Sequence, residues 1–213
     1  HLNDEANWEK DLAEYCNDNT FDIINLSFVT NYKISGLLVL NHAGYCETKF
    51  NGTNTLMCPD IGADIKMCQA KGTKIVLSLG GGGIYTYRLS NDADGKTLAD
   101  TLWNMFFGGS HDYRPYGDAV LDGVVLDIES GEHTGYAAFI LQLRIHFDRA
   151  SKQYIISAAP QCVYPDYNLD STLPKAWIDN SYMQIYNNLC SLASIDNQWN
   201  FDYKNPPAGL RAR

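Results

Sequence analysis

Short apolar runs, rich in β-branched residues, alternate along the chain with longer segments of helical periodicity. Strands are predicted at Asp22–Val29, Thr73–Leu79, Val120–Glu129, Gln153–Ala158 and Tyr182–Tyr186, and helices at Ile61–Ala70, Thr97–Phe107 and Gly135–Ala150. Because the strands are apolar on both faces, they are typical of a parallel sheet covered by helices. The pattern therefore predicts an α/β fold, either a doubly wound sheet or a barrel, in a single domain over residues 1–213.

Polar residues and glycines gather where the predicted strands end. These segments are Ser78–Gly81, Asp127–Glu129, Ala159–Gln161 and Tyr186–Asn188. Parallel α/β folds place their active sites at the carboxyl edge of the sheet. We therefore expect these four segments to meet at one site.

Two carboxylates end the strand predicted at Val120–Glu129. Side chains in a strand alternate between faces, so Asp127 and Glu129 are expected on the same face as Val125. Adjacent carboxylates push their pKa values apart, and one of them then holds a proton near neutral pH. A protonated carboxyl beside an ionised one suits acid-catalysed glycoside cleavage. The alternative is that both acids are simply solvated at the strand end.

Composition narrows the choice of partner. The net charge is −9, and an acidic surface repels phosphate backbones, so nucleic acid is not an expected partner. The chain has 14 Tyr, 8 Phe and 4 Trp; these rings belong to the core or stack on the sugars of a neutral polysaccharide. Apolar runs such as Ile34–Leu40 are too short to cross a bilayer, so no membrane association is expected.

Six cysteines and the absence of a CxxC pair argue against zinc or thioredoxin chemistry. An even number fits three disulfides in an oxidising compartment, and the alternative is six buried thiols in a cytosolic protein. The glycosylation sequon at Asn51 also favours a secreted, extracellular protein. Residues alone leave the pairing of the cysteines open.

Other site types lack their patterns. The glycine run Gly80–Gly83 has neither the spacing nor the lysine of a phosphate loop, and close approach of the backbone to a neighbouring strand or ligand explains it better. The five histidines show no metal-ligand spacing and are predicted on the surface or in loops. The GxSxG elbow of serine hydrolases is absent. We expect neither a metal nor a cofactor.

Several motifs resemble one family. The run Asp122–Glu129 (DGVVLDIE) resembles the DGxDxDxE signature of glycoside hydrolase family 18, and Ser78–Gly81 (SLGG) resembles its SxGG motif. Ser157–Cys162 (SAAPQC) and Gln184–Asn188 (QIYNN) resemble later strands of its plant class III and fungal chitinases. The resemblance implies a TIM (β/α)8-type barrel and a monomeric endochitinase acting on chitin or chitooligosaccharides.

The resemblance also implies roles for individual residues. Glu129 would protonate the glycosidic oxygen, and the substrate's own acetamido oxygen would attack the anomeric carbon, with retention of configuration. Asp127 would hold the acetamido N–H, and Tyr186 would donate a hydrogen bond to the acetamido oxygen. The substrate cleft would be lined by Gly81, Gln161, Gln184 and Asn187. The implied disulfides are Cys16–Cys68, Cys46–Cys58 and Cys162–Cys190.

Two departures from the family pattern change what is expected. Val125 stands where the family carries an aspartate, which predicts weakened activity or a shifted pH optimum. The barrel also looks incomplete, because neither the family's first strand before Trp8 nor any strand after Tyr186, including the tail 205–213, is recognisable. Five strands are too few to close the barrel, so a five-stranded open sheet is an alternative fold. The alternative functions are a chitinase-like lectin or inhibitor and a storage protein.

Overall fold

The structure is a computed structural model that describes residues 10–17, 20–32, 38–83, 87–131 and 133–190. The segments before Trp8 and at 205–213, where barrel strands were not recognised, lie outside these ranges, as does most of the apolar run Ile34–Leu40. Within the described ranges, no helix has the length and apolarity that a membrane span requires.

Strands and helices alternate in the order expected from the sequence. The helices are α1 (Leu12–Tyr15), α2 (Pro59–Ala70), α3 (Asp92–Phe106) and α4 (Tyr136–Arg149), with a 3₁₀ turn at Ala43–Tyr45. The strands are β1 (Ile23–Asn31), β2 (Val39–Leu40), β3 (Lys74–Gly80), β4 (Gly123–Asp127), β5 (Ile155–Ala158) and β6 (Asn180–Ser181). They form one open sheet in the order β2-β1-β3-β4-β5-β6, in which only β2 is antiparallel to its neighbour.

The two faces of the sheet differ in what they bury. One face shares a cluster of buried apolar side chains with α3 and α4; this cluster includes Leu77, Leu79, Val124, Leu126, Leu102 and Phe139. On the other face Val76, Ser78, Val125 and Ser157 are also buried. Asp127 ends the strand on this second face because it follows Val125 by two residues.

Two carboxylates fix the amino-terminal edge of the sheet. Asp122, directly before β4, accepts from the Ile75 amide of β3 at 2.7 Å and pairs with Lys152 at 2.9 Å. Asp179, directly before β6, accepts from the Ile156 amide of β5 at 2.7 Å and pairs with Arg144 at 2.6 Å. Each aspartate therefore joins its own strand to the adjacent one.

Several expected boundaries were wrong. β4 ends at Asp127, so Glu129 lies beyond the strand rather than at its last position. The strand expected at Tyr182–Tyr186 is instead Asn180–Ser181, followed by a single bridge between Gln161 and Gln184. Pro160 has no amide hydrogen to donate at this point, which explains the broken ladder. The two-residue strand β2 was too short to predict.

The structure contains the three disulfides Cys16–Cys68, Cys46–Cys58 and Cys162–Cys190, the same pairs that the family resemblance implies. His42 lies in the loop between β2 and the 3₁₀ turn, in agreement with the expected surface or loop position. His42 is buried, with Nδ1 2.7 Å from the Ser27 carbonyl and Nε2 2.7 Å from the Tyr116 hydroxyl. Burial lowers the pKa of His42, against the opposing effect of the Ser27 carbonyl.

Candidate active site

The ends of β3 and β4 approach each other closely at the carboxyl edge. The Gly81 amide donates to the Asp127 carbonyl at 2.8 Å. Gly80 has a φ of +103°, and a Cβ there would come 2.1 Å from the same carbonyl. The glycine run therefore serves the close backbone approach expected from the sequence, and it brings Gly81 beside the two acids.

Asp127 is half-buried at the end of β4 and lies next to Glu129. The side-chain amide nitrogen of Gln184, Nε2, donates to Asp127 Oδ1 at 2.8 Å and lies 3.5 Å from Glu129 Oε1, so it contacts both carboxylates. Burial and the charge of Glu129 raise the pKa of Asp127 to about 6, although the hydrogen bond from Gln184 opposes the rise. At a pKa of about 6, Asp127 is protonated in half of the molecules at pH 6.

Glu129 is held from two sides. Its backbone N–H donates to the Tyr87 hydroxyl at 3.0 Å. Its carboxylate lies against Gly82, where an added Cβ would come 2.7 Å from Oε2. A side chain at Gly82 would therefore displace the carboxylate, so the second half of the glycine run makes room for Glu129.

Tyr87 is a contributor that the sequence did not reveal. Its hydroxyl donates to the Gly81 carbonyl at 3.0 Å while accepting from Glu129, so one buried group joins the loops after β3 and β4. The Tyr87 ring stacks on Tyr32 with centroids 5.9 Å apart, and the Tyr32 hydroxyl is hydrogen-bonded to that of Tyr136. No sequence motif marks Tyr87, because its role depends on a contact 42 residues away.

Val125 lies directly behind Asp127 on the same face. It pairs in register with Ser78 of β3 and with Ser157 of β5, and all three side chains are buried. Val125 can neither donate a hydrogen bond to Asp127 nor share a proton with it. Asp127 therefore has the side-chain amide of Gln184 as its hydrogen-bond partner and an apolar group behind it on the strand.

The remaining predicted residues surround this centre at different distances. Tyr186 is more than half exposed, and its pKa is raised by partial burial and by the charges of Asp127 and Glu129. Gln161 pairs with Gln184 through the single bridge. Asn187 is exposed, with a φ of +54°. The structure brings Asp127, Glu129, Gln184 and Gly81 together, with Tyr186 and Gln161 beside them and Asn187 at the exposed rim.

The chemistry available is that of a carboxyl pair under a neutral amide. One carboxyl can donate a proton while the other stays charged, which is what acid-catalysed cleavage of an acetal requires. Across the part of the chain that the structure describes, no cluster of three or more His, Cys, Asp or Glu side chains could hold a metal ion.

Comparison with known proteins gives consistent matches. Residues 6–207 match glycosyl hydrolases family 18. Chitinase 1 of Rhizopus niveus is 45% identical over 201 residues, which are 94% of this chain. The endochitinase of Saccharomyces cerevisiae is 40% identical over 198 residues, or 92% of this chain. The chain spans only 39% and 34% of the lengths of these two relatives.

Solved structures agree on the fold. A chitinase from Ipomoea carnea has a TM-score of 0.78 at 36% identity, covering 91% of this chain and 71% of its own. A xylanase and alpha-amylase inhibitor protein from Scadoxus multiflorus has a TM-score of 0.74 at 28% identity, covering 90% and 68%. These matches confirm the expected TIM-barrel-type α/β fold, of which the described residues form an open six-stranded sheet.

Proposed function

The chain belongs to glycosyl hydrolases family 18, and on that premise we propose that it acts as an endochitinase on β-1,4-linked N-acetylglucosamine. The observation that carries the proposal is the contact of one amide, Gln184, with both carboxylates, Asp127 and Glu129. This cluster supplies an acid, a charge and a neutral hydrogen-bond donor in direct contact with one another. The similarity to fungal chitinases over more than nine tenths of the chain supports the same assignment.

In the proposed reaction, Glu129 transfers its proton to the glycosidic oxygen as the bond to the anomeric carbon breaks. The acetamido oxygen of the substrate attacks that carbon, and Asp127 accepts a hydrogen bond from the acetamido N–H. Tyr186 donates to the acetamido oxygen, which keeps it in line for attack. Glu129 then takes a proton from a water molecule whose oxygen attacks the anomeric carbon, the bond from that carbon to the acetamido oxygen breaks, and the configuration is retained.

The raised pKa of Asp127 bears on this step. The carboxylate form is needed to stabilise the positive charge that develops on the acetamido group. Because burial and Glu129 raise the pKa of Asp127 to about 6, the charged form dominates only above that pH. We propose that activity falls as pH drops below about 6, because Asp127 then loses its charge.

The second candidate is a sugar-binding or inhibitory protein on the same scaffold. Two observations favour it: Val125 replaces an acid of the family signature, and a solved inhibitor protein has a similar fold. Against it stands the presence of Glu129, Asp127 and Tyr186 close enough for the two acids to raise the pKa of the tyrosine. Binding of an oligosaccharide without release of product would decide for the binding protein, and neither binding nor cleavage would support the storage-protein alternative.

The test compares three proteins on a soluble N-acetylglucosamine hexamer. Wild type is expected to release shorter oligomers with retained anomeric configuration, and Glu129→Gln is expected to lose at least 10²-fold in rate, the order contributed by a positioned proton donor. Glu14→Gln is the matched control, because Glu14 is an exposed acid on α1 that pairs with Lys10. Equal rates for wild type and Glu129→Gln would overturn the assignment.

We further propose that the protein is secreted and acts as a monomer. Three disulfides need an oxidising compartment to form and persist. Chitin is an extracellular polymer that must meet the enzyme outside the cytosol. Light scattering of the purified chain tests the monomer.

A further inference from the structure

The loop after β5 presents two tyrosine rings to solvent. Tyr164 is 69% exposed and Tyr167 is 79% exposed. This loop leaves the carboxyl edge of the sheet, the same edge that carries Asp127 and Glu129. Single exposed aromatics need no explanation, but two such rings within four residues at a catalytic edge suggest a binding surface.

The loop that carries these rings is firmly anchored. Buried Asp166 accepts from the Asn168 and Leu169 amides at 3.0 Å and 2.6 Å through Oδ1, and from the Gln161 amide at 2.9 Å through Oδ2. The Leu169 side chain is completely buried in the core. Because the loop is already ordered, little conformational entropy is lost when a ligand covers the two rings.

Tyr167 also contacts the loop that follows the acid pair. Its ring meets His133 edge-on, with centroids 5.7 Å apart and an interplanar angle of 63°. His133 lies four residues after Glu129 and bridges to Leu89. On the other side, Gln161 bonds to Asp166 and pairs with Gln184, which contacts both acids. The rings are thus connected to the acid pair by both flanking loops.

We propose that Tyr167 and His133, with Tyr164 beside them, form an accessory subsite for a further N-acetylglucosamine unit of a bound oligosaccharide. This rests on the proposed function and extends it. The apolar C–H face of the sugar stacks on the Tyr167 ring, and the imidazole of His133 hydrogen-bonds a ring substituent. A neutral sugar suits this position because the acidic surface of the chain, which would repel an anion, does not repel it.

Binding is measured in a Glu129→Gln background, so that the ligand is not consumed. Titration calorimetry with N-acetylglucosamine hexamer and trimer compares Tyr167→Ala, Tyr167→Phe and the control Phe21→Ala. Phe21 is also exposed and meets another ring edge-on, Tyr15, but it precedes β1 at the opposite edge. Tyr167→Ala is expected to weaken hexamer binding by about tenfold, and trimer binding by less. Tyr167→Phe and Phe21→Ala are expected to bind within about twofold of the parent.

The outcomes separate this proposal from the proposed function. Unchanged hexamer binding by Tyr167→Ala overturns the subsite, while hydrolysis by wild type still supports the endochitinase. If binding by the Glu129→Gln protein depends on Tyr167 but wild type hydrolyses nothing, the subsite is supported and the endochitinase is overturned. An equal loss for hexamer and trimer places Tyr167 in the central site and overturns an accessory one. Absence of any binding overturns both proposals.

Discussion

Asp127 is a half-buried acid whose folded environment disfavours its charge, and Asp127→Asn therefore tests the electrostatics of the site. Burial first and Glu129 second raise its pKa from 3.8 to about 6. Between about pH 4 and pH 6 the folded protein binds the proton more strongly than the unfolded chain. The contribution of Asp127 to the unfolding free energy consequently falls as pH rises through this window. It reaches its lowest value above about pH 6, where Asp127 is fully charged.

The magnitude follows from the two pKa values. Each unit between them corresponds to about 1.4 kcal/mol, so the full difference corresponds to about 3 kcal/mol. Asp127 is partly exposed, and solvent screening reduces this to about 1.5 kcal/mol. Asparagine keeps the shape and the oxygen that accepts from Gln184, so the variant is expected to be more stable by about 1.5 kcal/mol at pH 7 than at pH 4, each measured relative to wild type.

Urea unfolding of both proteins at pH 4, 5, 6 and 7, with the disulfides intact, measures this difference. Asp170→Asn provides the control, because it removes the same charge from an exposed loop position. A stability difference between Asp127→Asn and wild type that stays constant from pH 4 to pH 7 would refute the reasoning. So would a variant that loses stability relative to wild type as pH rises.

Three further predictions concern the same edge. Val125→Asp is expected to change the dependence of the hydrolysis rate on pH, and identical profiles would contradict the role given to Val125. Tyr87→Phe removes the hydroxyl that holds Glu129, so kcat should fall by about tenfold with little change in KM; a change in KM alone would argue against positioning. Gly80→Ala should destabilise the fold by about 3 kcal/mol in urea unfolding, since its Cβ would meet a backbone carbonyl at 2.1 Å. Gly44→Ala, whose Cβ would meet nothing within 4 Å, should cost little.

The parts of the fold that depend on local pattern were predictable from sequence. The runs that became β3, β4 and β5 are short, β-branched and apolar on both faces, which is typical of buried parallel strands. The meeting of Asp127 with Gly81 was expected because parallel strands end at a common edge, whereas Gln184 was named only through the family resemblance. The disulfides came from family resemblance, since cysteine spacing alone does not choose among pairings.

The parts that depend on packing were not predictable. Tyr87 serves Glu129 only because a stack of buried rings holds its hydroxyl between two loops. His42 lies in a loop, and its sequence neighbours do not show that the Ser27 carbonyl and the Tyr116 hydroxyl contact its ring in the folded chain. Such roles arise from tertiary contacts between distant segments, and no local period signals them.

Asp122 and Asp179, directly before β4 and β6, also determine the register of these two strands. In a parallel sheet, a shift of one residue turns every side chain to the opposite face. Asp122 lies opposite Ile75, and Asp179 lies opposite Ile156. A strand shifted by one residue would therefore lose the hydrogen bond from the backbone N–H to the aspartate and move the aspartate away from its lysine or arginine partner. The contacts of Asp122 at the amino-terminal end of β4 therefore determine whether Asp127 or Leu126 lies on the face of the sheet that carries Ser78 and Ser157. Point substitutions at the carboxyl edge can accordingly change its chemistry without disturbing the alignment that presents it.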